Sequence, residues 1–287
     1  MASFASLALS ASFAFSLYHF TDAGNEETLY LGLKSHILSD KLVIIPTYKE
    51  KENIGRMIDA VMALDGHYHL LIIDDGSPDG TADIVRQKQD DYGPFIFLIE
   101  REKKLGLGTA YIYGFKWGME RDYQYFFEMD ADFSHPPTDL NRLLKACAEE
   151  GADVAIGSRY VKGGGVVNWP NDRLILSKGA SLYTRIITGM PVMDPTAGFI
   201  CYRREVLETL DLDKISFVGY AFQIGMKYLA YKSGFILKEI PIQFVEREFG
   251  VSKMHSSIIR EAIMGVLRLR LSSFFKPRRL KGKSVPE

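Results

Sequence analysis

The stretch "FFEMDADFSHPP", residues 126–137, ends an apolar, aromatic run with two aspartates that have one residue between them. The run is typical of a buried strand, and the prolines behind it are typical of a turn into a helix, with Pro137 suited to the first turn. In an extended backbone the side chains of Asp130 and Asp132 face the same way. These carboxylates either cap the next helix or hold a positively charged partner.

Composition is that of an ordinary globular protein with one sizeable core. The chain has 287 residues, of which 47% are hydrophobic and 25% charged, with a formal net charge of −1. This overall charge indicates no class of partner, and nucleic acid is not expected as one. The two cysteines, Cys147 and Cys201, lack the spacing of a metal site. They are interpreted as buried residues of a protein in a reducing compartment.

Short apolar runs alternate with amphipathic segments from residue 41 onward. Strands are predicted at 41–45, 69–74, 95–99, 123–130 and 153–158. Helices are predicted at 51–64, at 81–92 with Thr81 as the N-cap, from about 107, and at 137–150. This alternation predicts an α/β fold with a mostly parallel sheet covered by helices on both faces.

Three polar stretches follow predicted strands, at 46–50, 74–81 and 130–135. Each one alone is explained as a turn or a helix cap. Together they cluster acidic and polar groups at the carboxyl ends of the strands, where ligands bind in such sheets. Two adjacent carboxylates at that edge are costly unless a cation joins them. Mg²⁺ or Mn²⁺ bound between Asp130, Asp132 and a nucleotide diphosphate removes that cost.

The motifs "PTYKE", "IIDDGSPDGT", "MDADFSHPP", "GSRY", "NWPNDR" and "REFGVSK" keep this order along the chain. They resemble the polyprenol-phosphate mannosyltransferases, the dolichol-phosphate mannose synthase branch of glycosyltransferase family 2. The resemblance extends from about residue 41 to about residue 253. It implies a GT-A type catalytic domain over 39–254, GDP-mannose as donor, Mg²⁺ or Mn²⁺ as cofactor and a polyprenyl (dolichyl-type) phosphate as acceptor.

By this resemblance, the nucleotide and diphosphate positions fall in three motifs. They are Pro46, Tyr48 and Glu50 in the first, Ile73 and Asp75 in the second, and Asp130, Ala131 and Asp132 in the third. Asp130 and Asp132 are the implied metal ligands. Ser134 stands where many relatives carry glutamine as a further metal-side ligand, and its shorter side chain favours contact through a bridging water.

The resemblance also implies cationic positions that face phosphates, namely Arg159, Arg247 and Lys253. Arg247 and Lys253 flank "EFGVS", whose glycine is typical of a mobile lid. Arg173 is a further candidate for the acceptor phosphate, and Asp194 is assigned to orienting the sugar or the acceptor. With Asp132 and Arg159, these two residues form the predicted catalytic set.

A phosphate acceptor explains why no general base is visible. A phosphate monoester has a second pKa of about 6 and is largely dianionic at neutral pH. It can attack the anomeric carbon directly, which predicts transfer with inversion. Two alternatives remain open: the same fold using a UDP-sugar such as UDP-glucose, and a noncatalytic module that binds a nucleotide sugar or a lipid.

Both ends of the chain differ from the central domain. Residues 1–38 begin with an apolar, Ser-rich segment without the basic start of a signal peptide, and are interpreted as a poorly ordered or non-native extension. Residues 255–287 are predicted to form an amphipathic helix with a basic tail. The apolar face of that helix consists of Ile259, Ile263, Val266, Leu267, Leu271 and Phe274.

This C-terminal segment suits the surface of an anionic membrane. The alternative is a final helix packed on the core with a solvated tail. We therefore expect a cytoplasmic protein, peripheral at the cytoplasmic face of a membrane. It would reach its lipid from the surface or through a membrane-anchoring partner protein.

Overall fold

The computed structural model describes residues 39–215, 219–246 and 264–270. The strands are β1 (Lys41–Thr47), β2 (His69–Asp74), β3 (Ile96–Glu100), β4 (Tyr125–Glu128), β5 (Val154–Ser158), β6 (Gly165–Val167), β7 (Ile200–Arg203), β8 (Leu237–Pro241) and β9 (Gln243–Val245). The α-helices are α1 (Ile54–Met62), α2 (Thr81–Tyr92), α3 (Leu107–Met119), α4 (Leu140–Ala148), α5 (Asn171–Thr188), α6 (Arg204–Thr209) and α7 (Tyr220–Lys232).

Seven strands form one sheet in the order β3-β2-β1-β4-β7-β5-β8, and β6 pairs with β9. Pairs β1–β2, β2–β3, β1–β4 and β5–β8 are parallel, whereas β7 runs antiparallel to both of its neighbours. The predicted mostly parallel α/β sheet is therefore confirmed.

Helices cover both faces of this sheet, so the central strands are buried on both sides. Successive residues of β1 alternate between two hydrophobic cores: Leu42 and Ile44 contribute to one, Val43 and Ile45 to the other. This burial explains why the strands appear in the sequence as continuous apolar runs rather than as an alternating pattern.

The carboxyl ends of β1, β2, β4 and β5 meet at one edge of the sheet. Because β7 is antiparallel, the segment that precedes Ile200 enters at the same edge, and Ile200 lies opposite Glu128. Polar stretches that are far apart in the chain are thereby collected into one crevice.

Helix starts differ in detail from the predictions. Thr81 is the first residue of α2 rather than its N-cap, which is Gly80 at a φ of 88°. The Thr81 hydroxyl is used elsewhere, since it donates to Asp79 Oδ1 at 2.7 Å and accepts from the Glu50 N–H at 3.0 Å. Pro137 begins a 3-10 turn over Pro137–Asp139 that leads into α4.

The predicted C-terminal helix is described only at residues 264–270, which are helical. Val266 and Leu269 are buried in the core there, while Arg268 and Arg270 are exposed. This part therefore packs on the domain. Residues 1–38 and the basic tail from 271 onward lie outside the described residues.

Candidate active site

The two predicted nucleotide motifs are joined at the ends of β1 and β2. The buried Asp74 carboxylate accepts hydrogen bonds from Thr47 Oγ1 at 2.7 Å, the Ser77 N–H at 2.8 Å and Ser77 Oγ at 2.6 Å. Ser77 Oγ in turn accepts the Lys49 N–H at 2.9 Å. These contacts hold residues 46–50 against residues 74–81.

The remaining residues of the first motif lie at this contact between residues 46–50 and 74–81. Pro46 is opposite Ile73 in the β1–β2 pairing. Glu50 Oε2 accepts a hydrogen bond from Asn53 Nδ2 at 3.0 Å. The Lys104 ammonium lies 4.7 Å from the centre of the Tyr48 ring. An aromatic face with a cation beside it suits a nucleotide, which carries a flat base and negative phosphates.

Asp75 is paired with a residue that the sequence analysis did not single out. Arg101 Nε donates to Asp75 Oδ1 at 2.5 Å, and Arg101 also contacts the Thr109 hydroxyl and the Gly106 carbonyl. Arg101 follows β3, so its position at this edge was implied by the parallel topology alone. Any hydrogen bond from a base or ribose to Asp75 would be shared with this guanidinium.

The Asp-Ala-Asp motif follows β4 and turns sharply. Phe133 has a φ of 60°, and the Ser134 N–H donates to Asp132 Oδ1 at 3.1 Å. Asp132 and Ser134 are 7% and 2% exposed. The Ser134 carbonyl accepts the Val245 N–H at 3.3 Å. Ser134 therefore supports Asp132 through its main chain.

The donor atoms of this motif fit a divalent metal. Carboxylate and hydroxyl oxygens are the ligands that Mg²⁺ and Mn²⁺ prefer. Over the described ranges, no cluster of three or more His, Cys, Asp or Glu side chains could hold a metal by itself. A metal at Asp130 and Asp132 would therefore complete its coordination with water and substrate phosphate oxygens.

His135, in the same stretch, braces the motif from inside the fold. Its ring is 3% exposed and stacks on Phe199, with centroids 5.0 Å apart and planes 8° apart. Its Nδ1 accepts the Asp130 N–H at 3.4 Å. Burial, aided by the charge of Arg159, lowers the pKa of His135 to about 4, so the imidazole is neutral at physiological pH. His135 was not among the residues predicted from the sequence.

Arg159 and Asp194, predicted separately, form one buried pair. Asp194 accepts from the Arg159 N–H at 3.1 Å, from Nε at 2.6 Å and from Nη2 at 2.6 Å. Nη2 also donates to Thr196 Oγ1 at 2.9 Å. Burial raises the pKa of Asp194, but the charge and hydrogen bonds of Arg159 outweigh it and hold that pKa below its usual value.

Arg173 lies beside Trp169, an aromatic residue that is also close to Arg159. Its guanidinium is 3.9 Å from the centre of the Trp169 ring and forms an ion pair with Glu246. The Arg159 guanidinium is 5.5 Å from the centre of that ring. Trp169 thus contacts both arginines that were predicted to face phosphates. The other two predicted cations, Arg247 and Lys253, lie outside the described residues.

A cleft of about 560 Å³ opens between the end of β5, β6 and α5. Its cationic lining consists of Arg159, Lys178 and Arg185, and its apolar lining includes Leu174 and Leu182. Within the described part of the chain, Arg185 Nε is buried without a hydrogen-bond partner. The cleft therefore offers positive charge to an anion.

The outward face of α5 is apolar. Ile175, Leu182 and Ile186 are 72%, 55% and 71% exposed, and Leu176 beside them is 43% exposed. Their spacing places Ile175, Leu182 and Ile186 along one side of the helix. Contiguous exposed apolar side chains of this size are typical of a surface that contacts another apolar phase or partner.

Comparison with known proteins identifies the family. Residues 42–211 match the model described as glycosyl transferase family 2. The chain belongs to this family and is a glycosyltransferase. A polyprenol monophosphomannose synthase of Mycolicibacterium smegmatis is 49% identical over 225 residues, which are 78% of this chain and 84% of that protein.

Two further relatives carry related names. An undecaprenyl-phosphate mannosyltransferase of Micrococcus luteus is 46% identical over 236 residues, covering 81% of this chain and 94% of that protein. A dolichol-phosphate mannosyltransferase of Pyrococcus furiosus is 39% identical over 233 residues, covering 79% of this chain and 62% of that protein. The resemblance to polyprenol-phosphate mannosyltransferases is confirmed.

Among solved structures, glucosyl-3-phosphoglycerate synthase from Mycobacterium tuberculosis in complex with Mn²⁺, UDP and glucosyl-3-phosphoglycerate superposes with a TM-score of 0.58. The two share 18% sequence identity, over 83% of this chain and 81% of that one. At this identity the likeness concerns the fold alone, and it confirms the predicted GT-A type architecture.

Proposed function

We propose that this protein transfers mannose from GDP-mannose to a polyprenyl phosphate, with inversion at the anomeric carbon, to give polyprenyl phosphate mannose. The observation that carries the proposal is the cationic cleft beside the outward apolar face of α5. An acceptor with a phosphate head and a hydrocarbon tail requires both features. The names of the three relatives support the same acceptor class and the same sugar.

The donor would lie along the edge formed by β1, β2 and β4. Tyr48, Glu50 and Asp75 would contact the nucleoside, and the diphosphate would reach Asp130 and Asp132. These two carboxylates would hold Mg²⁺ or Mn²⁺, with Ser134 contributing at most through a water. When bound, the metal neutralises charge on the departing diphosphate.

The acceptor phosphate would bind among Arg159, Lys178 and Arg185 in the cleft. Positive charge is needed there because the lipid phosphate and the sugar diphosphate are both anions and repel each other. Asp194 restricts the Arg159 guanidinium to one orientation, and a fixed planar guanidinium recognises phosphate better than a free one. Arg173 would add charge from beside Trp169, and Arg247 with Lys253 would close over the donor.

The reaction needs no protein base. A phosphate monoester is largely dianionic at neutral pH, with a second pKa of about 6. One of its oxygens bonds to the anomeric carbon while the bond from that carbon to the donor phosphate oxygen breaks. No proton has to leave the nucleophile, so the contribution of the protein is alignment of the two anions and neutralisation of their charge.

The exposed apolar face of α5 supports a peripheral position at a membrane surface, and we propose that this is the cytoplasmic face. In the described part of the chain, none of the helices has the length and apolar character needed to cross a bilayer. The apolar side of α5 would enter the interface, with Lys178 and Arg185 near the lipid headgroups. The basic tail or a membrane-anchoring partner protein would supply a second contact.

A transfer assay tests the proposal. The purified protein is incubated with labelled GDP-mannose or UDP-glucose, a short polyprenyl phosphate and Mg²⁺ or Mn²⁺, with EDTA as control. We expect a lipid-linked mannose whose anomeric configuration, read by NMR, is opposite to that of the donor. Product formed with UDP-glucose but not with GDP-mannose would show that the donor is a UDP-sugar. Nucleotide-sugar binding without product from either donor would identify a noncatalytic module.

A further inference from the structure

Lys227, on α7, is a fully buried lysine at the back of the candidate site. Its Nζ donates to the carbonyl oxygens of Pro195 at 3.2 Å, Ala197 at 2.6 Å and Gln223 at 3.1 Å. Its relative exposure is 0%. Burial lowers its pKa, and the negative charges of Glu128, Asp194 and Glu239 oppose that effect, while Arg159 adds to it.

Two of the three carbonyls that Lys227 contacts belong to the segment 194–197. This segment lies outside strands and helices, just before β7, so no regular ladder satisfies its carbonyls. Its side chains include Asp194 and Thr196, which both contact the Arg159 guanidinium. Lys227 therefore holds the main chain on both sides of Thr196.

A second charged residue holds the same segment from β8. The Glu239 carboxylate accepts the Met193 N–H at 2.7 Å and the Asp194 N–H at 2.9 Å. The carboxylate of Glu239 thus accepts hydrogen bonds from N–H groups at the start of the segment. The ammonium of Lys227 donates hydrogen bonds to two of its carbonyls. Charged hydrogen-bond partners of this kind are stronger than neutral ones.

Lys227 contributes to stability, because removing one member of a set of buried charges leaves the others uncompensated. Its contacts also fix main-chain geometry next to Asp194, since two of its three carbonyl partners flank Thr196. We propose that Lys227 is a positioning residue for the acceptor phosphate, because it fixes the segment 194–197 and thereby the Arg159 guanidinium. This inference rests on the proposed function.

Lys227→Met tests it, since methionine fills similar space without charge or N–H donors. We expect the KM for a short polyprenyl phosphate to rise at least fivefold. Affinity for GDP with Mn²⁺, measured by calorimetry, should change less than the acceptor KM, because Lys227 contacts the segment 194–197 directly and the donor edge only through the charge of Glu128 on β4. Lys232→Met is the matched control, since Lys232 is exposed at the end of the same helix, and it should change neither value.

Hydrogen exchange separates positioning from general loss of stability. In Lys227→Met, amides of a peptide spanning 194–200 should exchange at least tenfold faster, while those of 41–47 in β1 keep the wild-type rate. If the methionine variant does not fold, Lys227→Gln keeps N–H donors without the buried charge. Its shorter side chain should still give faster exchange at 194–200 and at least a threefold rise in acceptor KM.

Three results decide between the possibilities. A folded Lys227 variant with wild-type acceptor KM and wild-type exchange at 194–200 overturns the positioning role and leaves the proposed function standing. Equal acceleration of exchange in 194–200 and in β1 overturns it as well, because the role is then only structural. If the wild-type protein forms no lipid-linked product, the proposed function fails, and positioning of an acceptor phosphate fails with it.

Discussion

Arg159 and Asp194 are joined by three hydrogen bonds, one from the Arg159 main chain and two from its guanidinium. The two residues are 35 positions apart in the chain. The Asp194 side chain is 0% exposed and that of Arg159 is 10% exposed. A carboxylate and a guanidinium held this way restrict each other, so the pair presents one defined cationic face to the cleft.

Asp194→Asn should strongly destabilise the protein, because the buried guanidinium loses its counter-charge. Breaking a buried pair costs about 3–5 kcal/mol of unfolding free energy. Urea unfolding followed by circular dichroism measures this loss. Asp83→Asn, which breaks the exposed pair with Arg86, is the matched control and should leave the midpoint unchanged. A similar decrease in the free energy of unfolding of both variants would show that the buried Arg159–Asp194 pair adds no more stability than an exposed pair.

Asp132→Ala should reduce sugar transfer at least a hundredfold and abolish metal-dependent binding of GDP. Loss of one carboxylate leaves the proposed metal with too few protein ligands. The fold should persist, because the Asp132 side chain belongs to neither hydrophobic core. Circular dichroism and the melting temperature check this. Asp65→Ala, at an exposed position after α1, serves as control. Near wild-type transfer by Asp132→Ala would refute the metal assignment.

The apolar face of α5 should matter only when the lipid acceptor is presented in a bilayer. The double variant Ile175→Ser/Ile186→Ser should lose at least tenfold in transfer to a long polyprenyl phosphate in anionic vesicles. Transfer to a short, water-soluble polyprenyl phosphate should remain within twofold. Ile236→Ser, at a 46% exposed isoleucine elsewhere, is the control. Equal losses with both acceptors would mean that α5 does not contact the membrane.

His135 should make the stability of the metal-free protein depend on pH. Its pKa is lowered to about 4 in the fold, whereas an unfolded histidine titrates near 6.5. Between these values the unfolded state binds more protons, so the free energy of unfolding falls as pH decreases from about 6.5 to about 4. The contribution of His135 amounts to about 3 kcal/mol over that interval.

His135→Asn keeps an acceptor for the Asp130 N–H and does not titrate. Its free energy of unfolding should therefore decrease less steeply between about pH 6.5 and about pH 4 than that of the wild type. Urea titrations at several pH values give the two slopes. Parallel slopes would show that His135 does not carry this dependence.

Patterns within short windows of sequence were enough for the strands and helices up to about residue 158, whereas those from β6 to β9 and from α5 to α7 were not predicted. Continuous apolar runs marked β1, β2 and β4 because these strands are buried on both faces. The parallel topology placed residues 46–50, 74–81 and 130–135 at one edge. Helix boundaries were less predictable: Thr81 looks like a cap, but its hydroxyl is used by Asp79 and Glu50 instead.

The sequence by itself determined the α/β architecture, the family resemblance and the edge at which the acidic motifs collect, since all three depend on local pattern and strand order. Tertiary structure alone decided the partners of the charged groups: Arg101 with Asp75, Arg159 with Asp194, and Lys227 with the segment 194–197. The physical reason is that each pairing joins elements distant in the chain. The Arg101–Asp75 pair depends on how the side chains settle beyond the neighbouring strands β2 and β3, and the other two depend on the antiparallel insertion of β7 and on the packing of α7. A charged residue in the sequence indicates that a partner is needed, and only the tertiary structure determines which residue that partner is.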